Sequence, residues 1–346
     1  MKRISVIIFL FLTCCKEDYK PREINTITIQ EFKIDSISIR AIKAINAHKV
    51  IYAGSNGDVG IYSDIEKTAA APIKITYQDS IRPNFRSIAS NSKAIFALSI
   101  SNPALLYRVF DGEFELKYSE NHEKVFYDAM HFFDDNEHGI AVGDPTQDCA
   151  SIILTSDAGN TWHKIPCSEL PKFEENEAFF AASNTNIKTI GNTVWIASGG
   201  KKARILKSDD FGNTWQIFET PIIQGEGSQG IYSIDFADKN NGIAIGGDYS
   251  KPLENRRNKA ITTDGGKTWL VVADEQNPNY KSCVQYVPNT DGKEVFAVGV
   301  TGISFSNNRG ITWNEVSKES YYTIQFVDRN TAWLSGNNKL GKLLLK

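Results

Sequence analysis

Short apolar runs that end in a small residue recur along the whole chain. They are Val50-Ile-Tyr-Ala-Gly54, Ala94-Ile-Phe-Ala-Leu-Ser99, Gly139-Ile-Ala-Val-Gly143, Val194-Trp-Ile-Ala-Ser-Gly199, Gly242-Ile-Ala-Ile-Gly246, Val295-Phe-Ala-Val-Gly299 and Ala332-Trp-Leu-Ser-Gly336. Some 13 to 18 residues before the closing small residue of each run lies the centre of a second short apolar segment, at Arg40, Arg86, Asp128, Ala181, Ser233, Ser282 and Thr323. No helical periodicity interrupts them, and short strands at regular spacing predict an all-β repeat fold. Each unit reads as strand, strand, loop, strand, tight turn, strand, and four-stranded units set around an axis make a β-propeller. The seven pairs predict a seven-bladed propeller. The last unit runs out at Lys339–Lys346, after its third strand. The alternating stretch Ile24–Ile34 belongs to no unit and is expected to close the ring as the outer strand of the last blade, which removes exposed edges.

The tight turns carry a second repeat. Thr155-Ser-Asp157-Ala-Gly159-Asn-Thr161-Trp162, Ser208-Asp-Asp210-Phe-Gly212-Asn-Thr214-Trp215, Thr262-Thr-Asp264-Gly-Gly266-Lys-Thr268-Trp269 and Ser306-Asn-Asn308-Arg-Gly310-Ile-Thr312-Trp313 share one pattern. It resembles the Asp-box, or BNR repeat, of β-propellers. In such a turn the carboxylate accepts backbone N–H bonds across the loop, glycine takes the positive-φ position and tryptophan packs between sheets. Asn308 stands in the aspartate position of the last copy, and its amide oxygen can accept the same bonds. These residues read as structural, not catalytic.

Composition narrows the rest. The 346 residues are 41% hydrophobic and 23% charged, enough apolar material for a large core and incompatible with wholesale disorder. Length alone suggests two domains, but the repeat absorbs residues 26–346 into one. A net charge of −3 argues against a nucleic-acid partner. At the N-terminus, Lys2 and Arg3 precede the apolar Ile4–Leu12, and Leu12-Thr13-Cys14-Cys15 resembles the lipobox of bacterial lipoproteins. Residues 1–15 are expected to be a lipoprotein signal with Cys15 lipidated, Cys14 being the alternative. Lys16-Glu17-Asp18 resembles an acidic surface-export tag, and residues 16–25 are expected to form a tether. The protein is then exported and lipid-anchored in the cell envelope. Of the remaining cysteines, Cys149 and Cys167 flank one turn symmetrically and could bridge across its hairpin; Cys283 is left over.

Candidate functional residues sort by rim. In a propeller the Asp-box turns lie on one rim and ligands enter by the other. Arg40, Arg86 and Asp128 occupy a strand position where later units carry small residues. Loops on the same rim add Asp144, Glu177, Arg204, Asp248 and Tyr249. They read either as a polar pocket for an anionic or sugar-like ligand or a peptide end, or as channel ion pairs such as Arg40 or Arg86 with Asp128. The five histidines fall at scattered positions, without metal-ligand spacing, and are expected at the surface or in turns. No cofactor loop, metal set or nucleophile motif is visible, so no cofactor or metal is expected.

From about residue 37 onward the chain resembles the BNR-repeat propellers related to the photosystem II stability/assembly factor, through Gly139–Pro145, Glu177–Ser183, Gly199–Arg204 and Gly246–Tyr249. It is especially similar to a bacterial branch often labelled oxidoreductase or glycosyl hydrolase. The resemblance implies a propeller that binds protein partners through an arginine-containing face. The favoured reading is a monomeric, lipid-anchored binding or assembly module for a protein or glycan. The alternative is a sialidase-like glycoside hydrolase, with Arg40, Arg86 and Arg204 imitating its arginine triad, Asp128 or Asp144 as acid and Tyr249 nearby. The segment Arg82-Pro83-Asn-Phe-Arg86 does not match the sequence such enzymes carry ahead of the first Asp-box.

Overall fold

A computed structural model describes residues 19–66, 68–69 and 72–345. The expected signal, Cys14, Cys15 and the Lys16–Asp18 tag lie outside the described residues. Within them the chain is all β, apart from 3-10 turns at Ser55–Gly57 and Cys167–Glu169. The runs ending in small residues form strands buried on both faces, as in Gly139–Gly143, Thr193–Ala197 and Val295–Gly299. Neighbouring sheets cover each face, which is why these strands read as unbroken apolar runs instead of alternating ones.

The strands form six hydrogen-bonded sheets, a six-bladed arrangement that corrects the expected seven. The reason lies in two long strands. Thr28–Asn46 and Thr331–Leu344 each run on past the point where a blade would end. Residues 28–33 pair antiparallel with 339–344, Ser38 pairs with Asn337, and residues 39–46 then pair with Lys49–Gly54. The first and last repeat units are thereby fused into one seven-stranded sheet. The N-terminal strand does pair with the C-terminal one, so both ends of the chain are held in the same sheet.

The innermost strands are Thr28–Asn46, Phe85–Ser90, Tyr127–Phe132, Ile187–Ile190, Gln229–Phe236, Cys283–Tyr286 and Thr323–Phe326. Each touches the next, and the last returns to the first, so they enclose a central channel. The apolar core fills the gaps between sheets. One cluster joins Ile140, Val142 and Ile152 to Val194, Ile196 and Leu206 of the following sheet.

The four turns have the expected bonding. Asp157 Oδ1 accepts the Thr161 N–H at 2.9 Å and Oδ2 accepts the Thr161 hydroxyl at 2.6 Å, while Gly159 sits at φ 82°. Asn308 reproduces the first bond at 2.9 Å and reverses the second, its Nδ2 donating to the Thr312 hydroxyl at 2.7 Å. Trp195 and Trp333 are fully buried, Trp162 and Trp313 nearly so, and Trp215 and Trp269 partly. Cys149 and Cys167 form a disulfide with Cα atoms 5.6 Å apart, and Cys283 is free and buried.

In the stretch expected to be a tether, Arg22 is fastened to the propeller. Its guanidinium meets the fully buried Glu294 carboxylate at 2.6 Å and donates to Asn330 Oδ1 at 2.9 Å.

Candidate functional site

Four inner strands share an irregularity. Where each pairs with its neighbour, one extra residue is inserted: Arg40 between Ile39 and Ala41, Arg86 between Phe85 and Ser87, Asp128 between Tyr127 and Ala129, and Tyr232 between Ile231 and Ser233. A bulge frees one residue from the ladder and re-aims its side chain. Here it turns Arg40, Arg86 and Tyr232 into a cavity of about 610 Å³ at the mouth of the channel, with Asp128 just beneath.

Neither arginine forms a salt bridge among the described residues. Arg40 donates from Nη1 to the Ala182 carbonyl at 3.2 Å and lies 4.1 Å over the Tyr322 ring, while its Nε is buried without a partner. Burial pushes the Arg86 guanidinium below the usual arginine range, with Arg40 adding to the effect. The expected ion pair with Asp128 is not made. Asp128 is fully buried, and neither of its carboxyl oxygens has a hydrogen-bond partner of good geometry. Burial above all, then the nearby Asp144, raises its pKa well above the carboxylate range, against the smaller pull of Arg86. Burial thus disfavours the charged form of Asp128. Asp144 accepts the Phe179 N–H at 2.7 Å, yet burial lifts its pKa to about 6.

The other walls are aromatic. Phe180 and Tyr232 stack with ring centroids 3.9 Å apart, and Tyr280 meets Tyr232 edge-on at 4.8 Å. Tyr249 stands on the rim, 57% exposed. Glycine makes room for Phe180: a Cβ on Gly199 would lie 2.2 Å from its Cε2.

The remaining predicted residues lie elsewhere. Glu177 and Arg204 form a closed, buried bidentate pair. Arg204 Nε donates to Oε1 at 2.9 Å, Nη2 bonds Oε2, and Ser198 Oγ adds 2.7 Å to Oε1. Glu177–Ala178 is itself a short strand on Gly199–Gly200, so this pair fastens a loop and does not line the cavity. Asp248 turns to its own loop, accepting the Ser250 N–H at 2.9 Å and hydroxyl at 2.6 Å. Arg40, Arg86, Asp144 and Tyr249 are thus brought together over Asp128. Sequence reasoning missed Tyr232, Tyr280 and Tyr322, and met Phe179 and Phe180 only as the continuation of the loop that carries Glu177. It placed Ser233 and Thr323 at the Arg40 position, whereas the bulge makes Tyr232 the counterpart and Tyr322 lines the mouth. His131, expected in a turn or at the surface, lies inside the channel instead.

A second hollow of about 570 Å³ lies between the first two sheets, bounded by Ile61, Ile95 and Phe110, and holds no cluster of charged groups. Among the described residues no group of His, Cys, Asp and Glu is placed to hold a metal ion.

No protein-family model and no curated protein matches the chain in sequence. Solved structures do match in fold. YCF48 bound to D1 peptide superposes with a TM-score of 0.65 at 13% identity, covering 95% of this chain and 98% of that one. The U3-55K structure gives 0.63 at 12% identity over 92% and 98%, and the RRP9 WD40 repeats give 0.65 at 11% over 94% and 100%. At these identities the likeness establishes the propeller fold.

Proposed function

We propose that the protein is a binding module of the Asp-box propeller type, carried on a lipid anchor in the cell envelope, whose channel mouth captures a segment of a partner protein. The observation that carries this is the pair Arg40 and Arg86: two guanidinium groups without carboxylate partners, set among aromatic rings in an open cavity. Unpaired guanidinium groups at low water content favour a carboxylate, which they bind by charge-assisted hydrogen bonds. Flat aromatic walls favour an adjacent ring or apolar side chain. The segment is therefore one that presents an acidic group, from a side chain or a chain end, beside an aromatic or apolar residue. The peptide bound by YCF48, on the same fold, supports a protein partner. The anchor is read from the sequence of residues 2–15.

The hydrolase alternative loses its parts in this geometry. Among the described residues Arg204 is consumed by Glu177, so no arginine triad assembles, and Asp128 is sealed beneath the cavity, which leaves Asp144 as the one carboxyl lining it.

The test is fluorescence polarisation against short peptides pairing Asp, Glu or a free C-terminus with Phe, Tyr or Leu. Arg86→Ala and Arg40→Ala should each weaken the best peptide roughly 10- to 100-fold, the loss of one charge-assisted contact. Arg204→Ala should lower stability while leaving binding in place. Wild-type affinity in both mouth variants would overturn the assignment.

A further inference from the structure

Roughly 10 Å further along the same inner strands, toward the end where the Asp157-type turns lie, the channel holds a second, smaller cavity of about 250 Å³. Its lining is chemically unlike the mouth. Three residues after Arg40 comes Lys43, and three after Asp128 comes His131. Tyr232, Ser282 and Tyr322 are followed in the same way by Asp235, Gln285 and Gln325. Lys188 enters from the remaining strand.

The carboxylate and amide oxygens in this ring already hold donors. Asp235 takes the Lys188 ammonium at 2.6 Å and the Phe236 N–H at 2.9 Å on Oδ1, and the Tyr286 N–H at 2.7 Å on Oδ2. Gln285 Oε1 takes the Phe326 N–H at 2.8 Å, and Gln325 Oε1 takes the Ala44 N–H at 2.5 Å. With both amide oxygens engaged by backbone donors, both NH₂ groups remain as donors. Asp134, at the cavity edge, accepts the Gly191 N–H at 2.6 Å. Lys43 has no salt-bridge partner among the described residues. Burial, then the like charge of Lys188, lowers its pKa, and the same surroundings push His131 down to about 3. The cavity is therefore rich in donors around Lys43: Asp235 is ion-paired with Lys188, Asp134 stands at the edge and bonds the Gly191 N–H, and neither carboxylate lies within ion-pair distance of the Lys43 ammonium.

We infer that this cavity is a binding site for a small oxyanion of the phosphate or sulfate class, held by Lys43 and the amide groups of Gln285 and Gln325. An enclosed ammonium without an ion-pair partner is costly, and a small oxyanion beside Lys43 supplies its counter-charge together with acceptors for the two amide NH₂ groups. The inference does not depend on what the mouth binds.

Titration calorimetry of the protein with inorganic phosphate tests it, with sulfate as competitor. Saturable binding is expected, weakened at least tenfold in Lys43→Met and retained in Lys43→Arg. Arg86→Ala should lose peptide binding and keep phosphate, and Lys43→Met should do the reverse, so the two sites fail separately. Should Lys43→Met not fold, a crystal soaked in tungstate gives an independent reading: anomalous density among Lys43, Gln285 and Gln325 supports the site. Absence of saturable phosphate binding, equal affinity in Lys43→Met, or tungstate at the arginine mouth alone would overturn it.

Discussion

Replacing Asp144 by Asn isolates the electrostatic character of the mouth. Asp144 is mostly buried and stands near the buried carboxyl of Asp128. Its pKa rises from 3.8 to about 6 because burial disfavours the charged form more than the Phe179 N–H bond favours it. That rise corresponds to about 3 kcal/mol of preference for the protonated state, and solvent at the cavity mouth trims it to about 2–3 kcal/mol. The sign follows from linkage. The folded state holds this proton more tightly than the unfolded chain, so the contribution is fully present below about pH 4 and is lost as pH rises through about 6. Asn keeps an oxygen for the Phe179 amide but carries no charge at any pH. Urea denaturation of both proteins at pH 4 and pH 7.5 should therefore give nearly equal stabilities at the lower pH. At the higher pH the variant should be more stable by about 2–3 kcal/mol. Binding of an acidic peptide should strengthen in the wild type as pH falls toward 5, when the competing carboxylate becomes neutral, and should lose that dependence in Asp144→Asn. A stability difference that is the same at both pH values would refute the reasoning, because the carboxyl would then titrate alike folded and unfolded.

Two further outcomes concern the scaffold. Reducing the Cys149–Cys167 bridge, or replacing both residues by Ala, opens a loop of sequence separation 18 and should cost about 3 kcal/mol by urea denaturation; a loss below about 1 kcal/mol would mean the flanking strands already fix that loop. Asp210→Ala removes the acceptor for the Thr214 N–H and hydroxyl and for Ser208 Oγ, and should cost roughly 1–2 kcal/mol, whereas Asp210→Asn should cost less than about 1 because Asn308 already performs that role.

The scaffold was legible wherever burial or turn chemistry is local. A strand covered on both faces must be apolar throughout, so Gly139–Gly143 and its counterparts announce themselves. The alternation of Ile24–Ile34 likewise marked a strand in need of a partner. The number of sheets was not legible in this way. It depends on whether Thr28–Asn46 and Thr331–Leu344 carry their pairing past Ser36, at φ 61°, as the Ser38–Asn337 pair does, and no local pattern encodes that. The site divides along the same line. Arg40 and Arg86 stood out because charge is unusual at a position that other units fill with small residues. Glu177 and Arg204 look equally functional in sequence, 27 residues apart, and only the short strand joining Glu177–Ala178 to Gly199–Gly200 reveals them as a closed pair.

The tyrosines were missed for a reason that also explains the site. A strict two-residue period places residues three apart on opposite faces of a strand. Reading Gln229–Phe236 with that period makes Ser233 the counterpart of Arg40 and hides Tyr232. The inserted residue breaks the period once, so positions three apart come to lie along one side. Arg40 then reaches the mouth cavity while Lys43 reaches the lower one, and Tyr232 and Asp235 divide in the same way. One bulge, repeated from strand to strand, thus gives the channel two ends of different chemistry. The lower positions Asp235, Gln285 and Gln325 tie each inner strand to the backbone of the next, which constrains them to residues with an acceptor. The bulged residues fall outside the pairing register, so the side chains of Arg40, Arg86 and Tyr232 are placed by the cavity they line and not by the strand ladder. The proposed recognition surface therefore lies where the ladder is interrupted, and the ties between inner strands where it is intact.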